Sequence, residues 1–262
     1  MKHPAICLAL ALLLAACGRK PVPPPPVLPV VPGTATIAPS SSTSSSAAVG
    51  RLSGRVIYKG PPVEPKKLDV TLDQHACGTE AKRSEALIVG PDGGVANAVV
   101  WVVGAEPGPM PAPSAPLRVT QKACVFTPHV ALVPKGGQIV VRNEDAVAHN
   151  FKAAGQGGNS YNFNQPGGAE NSVAFPDAGI VPVECSFHYW MTGYVVVAAH
   201  RLYALTGPDG RYVLDDVPSG QRRMKVWHES IGTLTQGRTE LDLPVFGGAT
   251  TEVDFILEPA GK

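Results

Sequence analysis

Beyond Gly50 no segment repeats apolar residues at helical spacing, and that constrains the fold more than any single motif does. Short runs rich in valine, isoleucine and tyrosine recur instead, each bounded by Gly, Pro or Asp-Gly. Such runs fit pleated, half-buried strands. They predict strands at 52–58, 67–72, 86–89, 98–103, 117–120, 124–128, 130–133, 138–143, 150–152, 171–175, 179–184, 193–198, 202–206, 212–214, 223–228 and 251–257. So many short strands, closely spaced, predict an all-β protein built as sandwiches of paired sheets. Two turns are explicit. Pro91-Asp92-Gly93-Gly94 and Gly207-Pro208-Asp209-Gly210 place Asp-Gly where a tight reversal needs positive φ, so each is expected to join two strands.

The first fifty residues carry no such pattern. Met1-Lys2-His3, the apolar run 6–14 and Leu14-Ala15-Ala16-Cys17 resemble a bacterial lipoprotein signal, and the run is too short to span a bilayer. The resemblance implies removal of 1–16 and acylation of Cys17, which would anchor the mature chain to a membrane. An ordinary secretory signal cleaved after the small residues is the alternative. Gly18, where an aspartate would retain the lipoprotein, implies the outer membrane, with the body facing the periplasm or the cell surface. Residues 17–50 hold a proline block and then a serine block, a tether with an extended and a flexible half. The 262-residue chain carries a formal charge of +1, which gives no reason to expect nucleic acid as a partner.

Cysteine counting adds chemistry. Cys7 leaves with the signal and Cys17 carries lipid, so Cys77, Cys124 and Cys185 remain. An exported compartment favours disulfides, and an odd number leaves one thiol over. Cys77 is expected to pair with Cys124, with Cys185 kept reduced by something that holds its thiolate. A pairing that uses Cys185 is the alternative.

Cys185 opens the run Cys-Ser-Phe-His188-Tyr-Trp-Met191, just ahead of a β-branched segment. A site that moves one electron between Cu(I) and Cu(II) uses a thiolate and two imidazoles near one plane, with a weak axial thioether. The loop is one histidine short. Residues 133–151 offer it, as a strand ending at Asn143 followed after a short turn by His149-Asn150.

In these residues the chain resembles the cupredoxins, the blue copper proteins, over 124–198. The short His-x2-Met spacing is similar to the amicyanin loop. The resemblance implies a Greek-key β-sandwich at 104–200 holding one copper ion on His149, Cys185, His188 and axial Met191. It also implies a supporting role for Asn150, whose backbone N–H would face the Cys185 sulfur. His188 would lie at the exposed edge of the site, where Phe187 and Tyr189 offer an apolar surface for a redox partner; for Trp190 core packing is the expectation. Phe187 and Tyr189 stand where the amicyanin loop has prolines, so each keeps an N–H able to donate to sulfur and raise the potential. Asn143 is expected to be a strand-end turn residue.

His75, His129, His200 and His228 read as surface or strand histidines. No His-x-His pair is present, which argues against a multicopper oxidase, and one loop cysteine argues against a binuclear copper centre. Zinc is disfavoured because a thioether is a poor zinc ligand.

Residues 205–228, with 52–60 and 95–102, resemble the carboxypeptidase regulatory-like, transthyretin-like β-sandwich. The implied organisation is an N-terminal β segment at 51–103 that pairs with a β module at 201–262, interrupted by the copper domain. The alternative is that the first hundred residues complete the cupredoxin sheets. The expected function is single-electron transfer between protein partners such as a cytochrome or a dehydrogenase, without enzymatic turnover. Copper handling without electron transfer and a metal-free interaction module are the alternatives.

Overall fold

Alternation of buried and exposed side chains organises most strands of the computed structural model, which describes residues 48–104, 108–232 and 238–259. The signal segment, Cys17 and the tether as far as residue 47 lie outside the described residues. The protein is all-β, and no helix among the described residues is long and apolar enough to cross a membrane.

One sandwich is made from the middle of the chain. Its five-stranded sheet runs Ser160–Gln165, His149–Ala154, Gly179–Glu184, Thr192–Ala198 and Val130–Pro134. A four-stranded sheet faces it, in the order Glu170–Phe175, Gly137–Asn143, Leu117–Lys122 and Val125–Thr127. Period-2 patterning turns Phe151, Val181, Val183, Val195 and Val197 from the first sheet onto Ile139, Val141, Val173 and Phe175 from the second. Each such side chain, removed from water, contributes about 1.5–3 kcal/mol. Val70 and Cys77, far upstream in the chain, belong to this same core.

The second sandwich draws on both ends. Val49–Tyr58 pairs with Arg211–Pro218 on one side and with Thr250–Glu252 and Phe255–Leu257 on the other. The facing sheet runs Tyr203–Leu205, Val99–Val103, Gly220–Trp227 and Glu240–Val245. Leu52, Val56, Val100, Val102, Met224 and Phe255 fill the space between. The chain leaves this sandwich at Val103 and re-enters at Tyr203, on neighbouring strands where Tyr203 stands opposite Trp101. An exit and a return this close let the middle sandwich be inserted without disturbing the host sheets.

The two sandwiches share a face. Val99, Val130 and Val196 are buried together, flanked by Trp101, Tyr194, Tyr203 and Trp227. Thr192–Ala198 is therefore covered on both sides, and Val195, Val196, Val197 and Ala198 are all buried in sequence.

The Gly207–Gly210 turn forms, with the Gly210 N–H donating to Gly207 O at 2.9 Å. Gly210 has φ +72°, and a Cβ there would stand 2.4 Å from Val56 O, so only glycine fits. The turn joins strands in different sheets and is not a hairpin. The segment 86–89 forms no strand: Val89 makes one bridge to Val95, whose N–H is spent on Val56 O at 2.9 Å. Besides the two-residue Lys82–Arg83, two six-residue strands go unannounced by the sequence runs, Ser160–Gln165 and Glu240–Val245. Both are edge strands, the first rich in asparagine and the second containing Pro244, which an edge tolerates.

His228 is buried in the second sandwich, not on its surface. Its Nε2–H donates to Ala96 O at 3.1 Å, and its Nδ1 accepts from the Ser230 N–H at 3.2 Å. Burial holds its pKa below the ordinary 6.5, against the attraction of Glu229. The unfolded chain therefore takes up a proton below 6.5 that the folded one resists, so stability is full above that value and falls as pH drops through it. Thermal unfolding followed between about pH 8 and about pH 5 should show this decline, and His228→Gln should make it shallower.

Candidate metal centre

The loop between Gly179–Glu184 and Thr192–Ala198 begins where Glu184 stands opposite Thr192. Two backbone bonds shape it: the Cys185 N–H donates to Met191 O at 3.1 Å, and the Met191 N–H donates to His188 O at 2.8 Å. They fold Cys185, His188 and Met191 inward, and all three are buried. His149 opens the adjacent strand, which is paired to Gly179–Glu184 through Val183–Ala153 and Glu184–Lys152. The sheet thus carries His149 to the same end of the sandwich as the loop.

Three of the four expected ligands present their donor atoms to one point. His149 Nδ1 lies 3.0 Å from His188 Nδ1, and His188 Nδ1 lies 3.8 Å from Cys185 Sγ. The ligand atoms of these three residues are all within 4.8 Å of one another. With bonds of about 2.0 Å to imidazole and about 2.3 Å to thiolate, typical of a first-row ion, the two separations subtend about 97° and about 124°. Angles of this size suit a trigonal His2Cys arrangement. The donor set and its spacing fit a copper-sized ion. Met191 is in the same buried cluster as Cys185.

Cys77 is bonded to Cys124, and Cys185 is free and buried. One N–H reaches its sulfur, that of Asn150 at 3.3 Å. Among the described residues neither Phe187 nor Tyr189 makes that contact, so of the three expected N–H donors Asn150 is the one that reaches the sulfur. The Asn150 side chain stitches the site together. Its Nδ2 donates to Asn162 Oδ1, Phe163 O and Asn164 Oδ1 at 3.0–3.1 Å, while its Oδ1 accepts from the Ser186 hydroxyl at 3.0 Å.

Each imidazole has its far nitrogen on a carboxylate. His149 Nε2 is 2.8 Å from Asp145 Oδ2, and His188 Nε2 is 2.9 Å from Asp73 Oδ2. A carboxylate only accepts here, so both Nε2 atoms carry the proton and both Nδ1 lone pairs turn toward the sulfur. Burial lowers the His149 pKa, opposed by its bond to Asp145, and favours the neutral imidazole that binds metals.

Asp145 has a second task. The hairpin joining Leu117–Lys122 to Val125–Thr127 turns on Ala123 and Cys124, both at positive φ (49° and 58°) without a glycine. The Asp145 carboxylate accepts both N–H groups, at 2.7 and 2.8 Å, and stabilises a turn that side chains disfavour. Asn143, fully buried, sets Asp145 in turn: its Oδ1 accepts the Asp145 N–H at 2.9 Å and its Nδ2 donates to Val147 O at 2.8 Å.

The expectation of an exposed His188 is overturned. Its exposure is 0%, because Asp73 and the surrounding segment cover the imidazole edge. Phe187 and Tyr189 are exposed, by 41% and 66%, and Trp190 is buried with its Nε1–H on Cys124 O at 3.0 Å. His129 is also buried, held between Glu85 and Glu229, whereas His75 is exposed and His200 half-buried. Sequence reasoning missed Asp73 and Asp145. Asp145, four residues before His149, offers a faint signal; Asp73, 115 residues from His188, offers none.

No protein-family model matches the sequence. No curated protein matches it either. Among solved structures, a purple cupredoxin from Nitrosopumilus maritimus aligns with 31% of this chain and 99% of its own, at 23% identity and a TM-score of 0.28. Amicyanin from Paracoccus versutus aligns with 38% of this chain and 97% of its own, at 19% identity and a TM-score of 0.30. A copper-containing nitrite reductase from Thermus scotoductus aligns with 54% of this chain and only 28% of its own, at 17% identity and a TM-score of 0.31. Likenesses of this size carry no functional weight, and the geometry of the residues must carry it instead.

Proposed function

We propose that this chain is a mononuclear copper protein that carries single electrons, held at the outer membrane by lipid on Cys17 and free of substrate turnover. The observation that supports this best is the convergence of His149 Nδ1, His188 Nδ1 and Cys185 Sγ beneath the surface. Copper, when bound, supplies a one-electron couple. The chain's own residues do the rest. His149, Cys185, His188 and Met191 would hold the ion, and the Asn150 N–H stabilises charge on sulfur. Two sheets and a hydrogen-bonded loop hold the donors in place, so little rearrangement accompanies a change of charge. Burial excludes water from the donor atoms. The exposed Phe187 and Tyr189 rings, beside the ligands, give a redox partner such as a cytochrome or a dehydrogenase a place to dock.

Loading the protein with copper tests the reading. An intense absorption in the red with narrow copper hyperfine splitting is the expected result, since both follow from a covalent thiolate bond in a trigonal site. A colourless adduct would sink it, and would favour copper handling without electron transfer.

A further inference from the structure

Asp73 reaches the metal centre from outside the ligand-bearing part of the chain. It precedes the short helix Gln74–Cys77 in the left-handed region, at φ 51° and ψ 38°, and its side chain makes no capping bond. Its carbonyl oxygen accepts the N–H groups of Ala76 and Cys77, both at 2.9 Å, which leaves the carboxylate for His188 Nε2. The segment is built onto the centre. Gln74 Nε2 donates to Val70 O at 2.8 Å, Lys82 Nζ donates to Cys77 O at 2.5 Å, and Val70 and Cys77 lie in the core of the ligand-bearing sandwich.

The Cys77–Cys124 disulfide sits between the two carboxylate–imidazole pairs. Cys77 ends the helix that Asp73 begins, and the Cys124 N–H donates to Asp145, the partner of His149. Both sulfurs lie within 4.8 Å of a His188 ring nitrogen. One covalent link therefore fixes the position of Asp73 relative to the turn that seats Asp145.

We infer that Asp73 is a positioning residue for the copper centre, held by the Cys77–Cys124 link, and that it sets the tautomer, orientation and donor strength of His188. The inference rests on the copper reading. A carboxylate that accepts the Nε2 proton keeps the Nδ1 lone pair aimed at the metal and raises its basicity, and partners of this kind are worth about 10- to 100-fold in metal affinity. The added negative charge favours the more highly charged ion. Loss of Asp73 should therefore weaken binding of Cu(II) more than of Cu(I) and raise the reduction potential. A tenfold difference between the two losses corresponds to about 59 mV for one electron.

The test compares the full chain with Asp73→Asn and Asp73→Ala. Asparagine keeps the shape and removes the charge; alanine removes both. Chelator competition should give a Cu(II) affinity lower by about 10- to 100-fold, and the potential should rise, with the red absorption retained. Nitrogen NMR of the copper-free protein should show His188 protonated on Nε2, and in Asp73→Ala a mixture of tautomers. Unchanged affinity, potential and tautomer in both variants would overturn the inference. Absence of the red absorption from the unsubstituted protein would overturn the copper reading, while the NMR comparison would still decide whether Asp73 sets the His188 tautomer.

Discussion

Copper-loaded Cys185→Ser protein should be colourless in the red, with the absorption lost completely. Serine fits the space, and its oxygen can still accept the Asn150 N–H that Cys185 Sγ accepts at 3.3 Å, so the loop should close as before. What changes is the donor. A hydroxyl holds its proton at neutral pH and forms no covalent bond of the kind a thiolate forms with copper. The cooperative unfolding transition should persist in the same sample, which separates loss of a ligand from loss of fold. Colour that survives the substitution would mean that the ion sits elsewhere.

Phe151→Ala should destabilise the protein by about 3–5 kcal/mol. Phe151 has no exposed surface, packs edge-on to Phe126 and tilted against Phe163, and lies two residues beyond His149 on the same strand. Alanine would leave a void between the facing sheets that surrounding β-branched residues cannot fill, because their side chains are stiff. The strand carrying His149 would lose its anchor in the core, so copper affinity should fall together with the urea midpoint. A loss below about 1 kcal/mol would show that the sheets close over the gap.

The two substitutions also mark what a single sequence reveals. Cys185, His188 and Met191 fall within one loop, and local spacing alone brings them together. His149 is legible because a strand ending in Asn143 and a His-Asn pair place it on the neighbouring strand. The all-β class is legible because alternation is a local property. Non-local partners are different. Nothing about Gln-His-Ala-Cys or the aspartate before it reveals that this segment covers His188, because its position depends on a disulfide and on packing of Val70 against a distant core. The burial of His188, the tautomer control by Asp73 and the absence of a strand at 86–89 all follow from such long-range contacts. Phe187 and Tyr189 carry N–H groups in the sequence, but only the folded loop reveals that neither points at sulfur.

The valine face shared by the two sandwiches has a consequence for modularity. Recombination that cut out the inserted sandwich alone would turn Val130 and Val196 from interior into surface and bare the half-buried Tyr194, on a sheet whose edge strand, Val130–Pro134, has no further neighbour in its own sheet among the described residues. Such a fragment would be sticky, prone to pair with copies of itself. The host sandwich is thus less a passenger than a built-in chaperone for its guest, and the two are expected to travel through evolution as one heritable piece.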